Sequence, residues 1–292
     1  MARHGRVVIA AAAAVVLALT GCSAEVAGTA ESGPATAAEP RPSENASPPD
    51  NPAGPEPVVA GPGQCVNGND VTPVDCRQPH TVEITAEGTF GGGMPEQPPD
   101  RDTVFAAVFP ECRQAAADYL GNEDYDASTL GAWLLWAGRE DWTAGKRWYR
   151  CGVAELGADG SALPRTGSVR NALAGDGLYE FQVCSATRPS QELPRLVSCD
   201  RPHSGEAVGT VAMGRPAEPF PSERAFNDRA RPACTRAVRE YVGAERDDVT
   251  ASWRWPDEVN WRYGFTNITC YAETVEPVTK PVRGLRSSRL PN

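Results

Sequence analysis

Apolar and polar positions along this chain follow one order, and that order occurs twice. Phe105, Val108, Phe109, Cys112, Ala115, Ala116 and Tyr119 fall at helical spacing on one face. They predict a helix stopped by Gly121, with the cysteine on its buried stripe. Pro110, and Pro232 at the matching place further on, predict a kink or a split in each helix. Short strands carry the first cysteine of each half, at residues 63–66 and 179–184. Second strands run over residues 80–90 and 204–213, and two aromatic strands close each half, the last ending at Cys151 or Cys270. The expected fold is α+β: two tandem repeats, each a small antiparallel sheet with one kinked helix across it and two disulfides.

The identities behind this reading are dense. Cys76-Arg-Gln-Pro79-His80-Thr-Val-Glu83 matches Cys199-Asp-Arg-Pro202-His203-Ser-Gly-Glu206. Pro110, Cys112, Ala115, Tyr119 and Gly121 match Pro232, Cys234, Ala237, Tyr241 and Gly243. Trp136, Trp142, Gly145 and Cys151 match Trp255, Trp261, Gly264 and Cys270 without a gap. Such agreement in one order implies a tandem duplication.

The first residues have another character. Arg3 and Arg6 precede an Ala/Val/Leu run from Val7 to Leu19, which suits a lipoprotein signal peptide over residues 1–21 and is short for a membrane span. Leu19-Thr20-Gly21-Cys22 resembles a bacterial lipobox, which implies lipidation of Cys22. Residues 22–62 are rich in Pro and Ala with no apolar period, and are expected to be a disordered tether. The remaining expected boundaries are repeat 1 at 63–156, a Gly/Ala/Ser linker at 157–177, repeat 2 at 178–275 and a basic tail at 276–292. The expected location is the outer face of the cytoplasmic membrane, on the cell-wall side.

Eight cysteines remain beyond Cys22. Free thiols do not persist outside the cytoplasm, so all eight are expected in disulfides. Closure within each repeat, with the same pairing in both, leaves three schemes. The favoured one joins Cys65 to Cys151, Cys76 to Cys112, Cys184 to Cys270 and Cys199 to Cys234. A net charge of -10 with no compensating basic face argues against nucleic acid as a partner. Clustered acids such as Glu123, Asp124 and Asp126 read as solvated surface.

Taken together, a first Cys, Cys-x-x-Pro-His-x-x-Glu, a helical Cys before Tyr-Val-Gly, and Trp-x-x-Gly-x5-Cys resemble the septum-formation domain family of actinobacterial envelope proteins. The likeness covers roughly residues 61–155 and 179–274. Repeat 1 departs from the usual aromatic-Pro-Thr step, having Trp136-Ala137 there. The resemblance implies an envelope protein linked to division or wall machinery, and supplies no catalytic residue.

The candidate chemistry rests on few groups. Beyond His4, the histidines are His80 and His203, each three residues before an acid, Glu83 or Glu206. One histidine and one glutamate per repeat are too few for zinc when the cysteines are oxidised, so no metal or cofactor is expected. The motif then fixes the turn after the proline. The alternative is an envelope hydrolase or metal-dependent enzyme using His80/Glu83 or His203/Glu206. No Gly-x-Ser-x-Gly elbow or phosphate loop is present. Trp142 and Trp261, shared by both repeats, are expected in the cores, while Trp133, Trp148 and Trp253 lack a Trp counterpart and are candidates for exposure. The expected function is a non-enzymatic binding or scaffold lipoprotein, with the membrane, an envelope protein or cell-wall glycan as partners.

Overall fold

The computed structural model describes residues 58–292, which fall in one compact unit. The signal segment, Cys22 and the tether up to residue 57 lie outside the described residues. The chain builds two antiparallel sheets of five strands each, with the same strand order. In the first module β1 (Cys65–Asn67), β2 (Asp70–Val74), β3 (Val82–Thr89), β4 (Leu130–Trp136) and β5 (Trp148–Glu155) are arranged β2-β1-β3-β5-β4. In the second, β6 (Cys184–Ser185), β7 (Leu196–Val197), β8 (His203–Ala212), β9 (Val249–Arg254) and β10 (Asn267–Val278) are arranged β7-β6-β8-β10-β9. The α+β expectation holds, and the matched topologies agree with a repeated module.

One long helix crosses each sheet: α1 (Arg101–Leu120) and α3 (Glu223–Val242). Asp100 and Ser222 cap their first turns by accepting from the backbone N–H of Thr103 and Ala225. Gly121 and Gly243 end them in the left-handed region, with φ of 76° and 80°, where a Cβ would be strained. Neither helix splits at its proline; each runs unbroken through Pro110 or Pro232. The lost N–H bond is outweighed by a buried stripe pinned to the sheet by a disulfide two residues later. Two short helices, α2 (Arg139–Thr143) and α4 (Glu258–Arg262), precede the last strands and seat Trp142 and Trp261.

The disulfides correct the favoured pairing. The bonds are Cys65–Cys76, Cys112–Cys151, Cys184–Cys199 and Cys234–Cys270. Cys65–Cys151 is ruled out by strand order: β3 lies between β1 and β5, so the two cysteines are at least about 9.5 Å apart, beyond the reach of a disulfide. Instead β2 folds back antiparallel on β1 with Val74 opposite Cys65, which returns Cys76 to within 5.3 Å Cα–Cα. Cys112 points from α1 onto Cys151 in the middle of the sheet, at 4.8 Å Cα–Cα. The second module repeats both bonds in place of Cys184–Cys270 and Cys199–Cys234.

Two segments expected to lie outside the modules are packed into them. In the 157–177 stretch Val169 and Leu173 are buried in the first core. In the expected tail, Val278 and Val282 are buried in the second. Each segment is a strap across the end of the long helix. Asn171 and Leu173 donate to the carbonyls of Tyr119 and Leu120; Gly284 and Arg286 donate to those of Tyr241 and Val242. Asn171 and Gly284 take positive φ, 57° and 64°, at the same point of the strap. Ser168-Val169-Arg170-Asn171 and Pro281-Val282-Arg283-Gly284 are therefore a further matched landmark. The first module also begins before residue 63: Ala60 is buried and its N–H donates to the Val71 carbonyl.

The modules share a core. Ala207 and Tyr271 of the second sheet pack with Leu120, Tyr125 and Leu173 of the first module. The acids read as solvated form the seam. Asp124, in the 3-10 turn Glu123–Ala127, accepts from the N–H and hydroxyl of Thr210 at 2.8 and 2.6 Å. Asp126 accepts from Arg113 at 2.6 Å and Asn267 at 3.0 Å.

Candidate functional site

The paired motif forms two buried hydrogen-bond hubs. In each, the turn after proline places a histidine at the start of a central strand, and the glutamate three residues on faces the helix. His80, Glu83, His203 and Glu206 are all at most 1 % exposed. Nδ1 of His80 lies 3.0 Å from the Gln78 carbonyl and Nδ1 of His203 2.7 Å from the Arg201 carbonyl. A carbonyl only accepts, so in each ring Nδ1 carries the hydrogen.

The carboxyl groups gather donors. Glu83 Oε1 accepts from Val169 N–H at 2.7 Å and Arg165 Nη1 at 3.1 Å; Oε2 accepts from the hydroxyls of Tyr119 at 2.8 Å and Ser168 at 2.7 Å. Glu206 accepts from Tyr241 at 2.6 Å and Val282 N–H at 3.0 Å, and meets His203 Nε2 at 3.0 Å. Each hub thus ties strand, helix end and strap at one carboxyl group.

Burial alone would depress the His203 pKa, but hydrogen bonds to Glu206 and the Arg201 carbonyl, with the Glu206 charge, outweigh it and raise it. Burial, then the Glu206 charge and hydrogen bond, push the Tyr241 phenol far up, so it donates at every physiological pH.

Cys65 Sγ, His80 and Glu83 offer ligand atoms within 4.8 Å of one another. The residues do not fit a metal: the sulfur is bonded to Cys76, and the four donors fill the lone-pair directions of Glu83. His80 Nε2, 3.7 Å from Glu83 Oε1, is left without a hydrogen-bond partner among the described residues because that carboxylate is taken.

Trp142 and Trp261 are 1 % exposed, and their indole N–H groups bond the carbonyls of Pro95 and Glu218. They belong to the cores, as expected. The remaining sequence candidates are half-buried: Trp133 and Trp148, like Trp136, flank the edge strand β4. Trp253, on β9, the equivalent edge strand of the second sheet, bonds Asn227 through its N–H at 3.0 Å.

Around β4 the surface is concave. A cleft of about 410 Å³ is lined by Phe105, Trp133 and Trp136 of the first module, by Asn260 and Tyr263 of the second, and by Asn69 and Arg101 at its edge. A second hollow of about 390 Å³ on the same strand adds Val71, Leu135 and Trp148. The indole N–H groups of Trp133, Trp136 and Trp148 have no acceptor among the described residues. The cleft thus combines flat apolar rings, unspent donors and two side-chain amides. Sequence reasoning singled out Trp133 and Trp148 but not the cleft, because one side of its wall, Asn260, Tyr263 and Phe265, comes from the other module. The signal within reach was the run Trp133-Leu-Leu-Trp136 on an edge strand.

A family model described as septum formation matches residues 62–270, in one span from the first module through the strap after it to Cys270 of the second. No curated protein matches the chain. No solved structure matches it either.

Proposed function

Because the chain belongs to the septum formation family, we propose that it is a non-enzymatic binding protein of the cell envelope, held outside the cytoplasmic membrane by lipid on Cys22. Its task is to link wall glycan to the division machinery. Four disulfides suit an oxidising compartment. Leu19-Thr20-Gly21-Cys22 supplies the anchor. The observation that carries the reading is the contrast between the two kinds of site. The histidine–glutamate pairs are sealed from solvent, with Glu83 and Glu206 taken up by internal donors. The aromatic cleft is open, with donors to spare.

The chemistry of the cleft suits a sugar chain. Pyranose C–H faces stack on Trp133 and Trp136, and ring hydroxyls and N-acetyl carbonyls take the indole N–H and the amides of Asn69 and Asn260. Two tests separate anchor from binding. Cys22→Ala should move the protein from the membrane fraction to the soluble fraction. Trp133→Ala/Trp136→Ala should keep the membrane location and the melting temperature but cut retention on insoluble wall glycan. Equal retention of the double variant would overturn the glycan reading.

A further inference from the structure

The helix face that joins the two modules in the first stands open in the second. In the first module Phe105 and Phe109 of α1 pack on Tyr263 and Phe265, with ring centroids 5.5 and 5.8 Å apart. Arg113 on the same face donates to the Gly264 carbonyl at 2.8 Å. A polypeptide loop thus docks on the α1 side of the groove between α1 and β4, leaving the aromatic cleft beside it. Aligning Cys112 with Cys234 puts Asn227, Arg231, Thr235 and Arg239 where the first module has Phe105, Phe109, Arg113 and Ala117.

Arg231, Thr235 and Arg239, with Arg246 and Trp253, line a groove of about 290 Å³ between α3 and β9. Arg231 and Arg239 are exposed, and no described carboxylate pairs with either. Arg231 lies 5.6 Å from the centre of the Trp253 ring. Arg246 is held by Asp248, and Glu245 is the one carboxylate in the lining. The groove therefore holds the place in its module that is used for docking in the first, but exchanges aromatic rings for guanidinium groups.

We propose that this groove docks an acidic loop of a partner protein. The precedent in the first module favours a polypeptide occupant, and the arginines set its charge. A second copy of this chain is a poor match. The loop equivalent to Tyr263-Gly264-Phe265 is Ala144-Gly145-Lys146, followed by Arg147, so like charges would meet. The inference rests on the reading of the chain as a binding protein, and adds a protein contact to the glycan cleft on the first module.

The test uses the full mature chain in detergent and a fluorescein-labelled peptide with one Phe flanked by Asp and Glu. Saturable binding that weakens with salt is expected, with Kd rising about tenfold or more in Arg231→Glu/Arg239→Glu. Arg224→Glu, on the same helix but paired with Asp228, should leave Kd unchanged. Should the double variant unfold, Arg231→Gln/Arg239→Gln repeats the measurement. No saturable binding, equal binding of a Lys-flanked peptide, or unchanged affinity in the double variant would overturn the proposal. So would tighter binding of polyphosphate at this face, or binding gained only when residues 23–57 are deleted. Self-association lost in the double variant would assign the groove to a second copy. None of these outcomes bears on membrane retention or glycan binding, so the two readings fail separately.

Discussion

Replacing Glu206 by alanine should release the C-terminal strap. The carboxyl group is fully buried and serves Tyr241 at 2.6 Å, Val282 N–H at 3.0 Å and His203 at 3.0 Å. Each stranded buried donor costs about 1–3 kcal/mol. Tyr241 keeps a second bond to Gln182, and Val282 regains water if the strap lifts, so the net loss should be about 3–5 kcal/mol. The strap carries the trypsin sites Arg283, Arg286 and Arg289; Lys280 is shielded by the proline that follows it. Cleavage of an opened segment follows its open population, so a 3 kcal/mol loss speeds it about a hundredfold. Limited trypsinolysis with intact-mass readout measures the rate, and urea unfolding of the oxidised protein measures the stability. Glu206→Gln, which keeps one acceptor, should fall between. A stability loss below about 1 kcal/mol, or an unchanged cleavage rate, would refute the hub as the element that seats the strap.

The His203 pKa is higher folded than unfolded, so its contribution is complete below the ordinary value of 6.5 and fades as pH rises through the folded value. The melting temperature should therefore drop as pH climbs from 6.5, and His203→Gln should flatten that slope; an equal slope in the variant would contradict the assignment. Removing Cys112–Cys151, which closes 39 residues of chain, should cost roughly 4 kcal/mol, against roughly 3 for Cys65–Cys76, which closes 11. Denaturant midpoints of the paired serine variants measure the order. Arg113→Ala removes the bonds to Gly264 and Asp126, and should raise hydrogen exchange at residues 263–267 while the sheets stay protected.

Much of each module was legible because it is written in local patterns. The helix stripe through Cys112, the glycine stops and the strand ending at Cys151 follow from periodicity and conformational preference. The pairing of the cysteines was not, because it depends on β3 coming to lie between β1 and β5, an order that no local pattern carries. The straps were missed for a different reason. Their Gly, Ala, Ser and Arg content resembles a linker, and only Val169, Leu173, Val278 and Val282 mark burial. Asp124 and Asp126 look like surface acids until Thr210, Asn267 and Arg113 are brought to them from distant parts of the chain. The histidine motif was read as structural from the scarcity of ligands, and the hubs supply the donors that fill that role. The aromatic cleft and the arginine groove lie at equivalent edge strands, β4 and β9, and gain meaning only once the two modules are superposed.

Two disulfide-locked modules joined into one body are the central claim. Peptide mapping of the mature protein under non-reducing conditions, with thiols alkylated at once, tests this most directly. The account predicts Cys65–Cys76, Cys112–Cys151, Cys184–Cys199 and Cys234–Cys270, with no free thiol among the eight. A crosslink between modules, or a substantial fraction of alkylated cysteine among them, would contradict it.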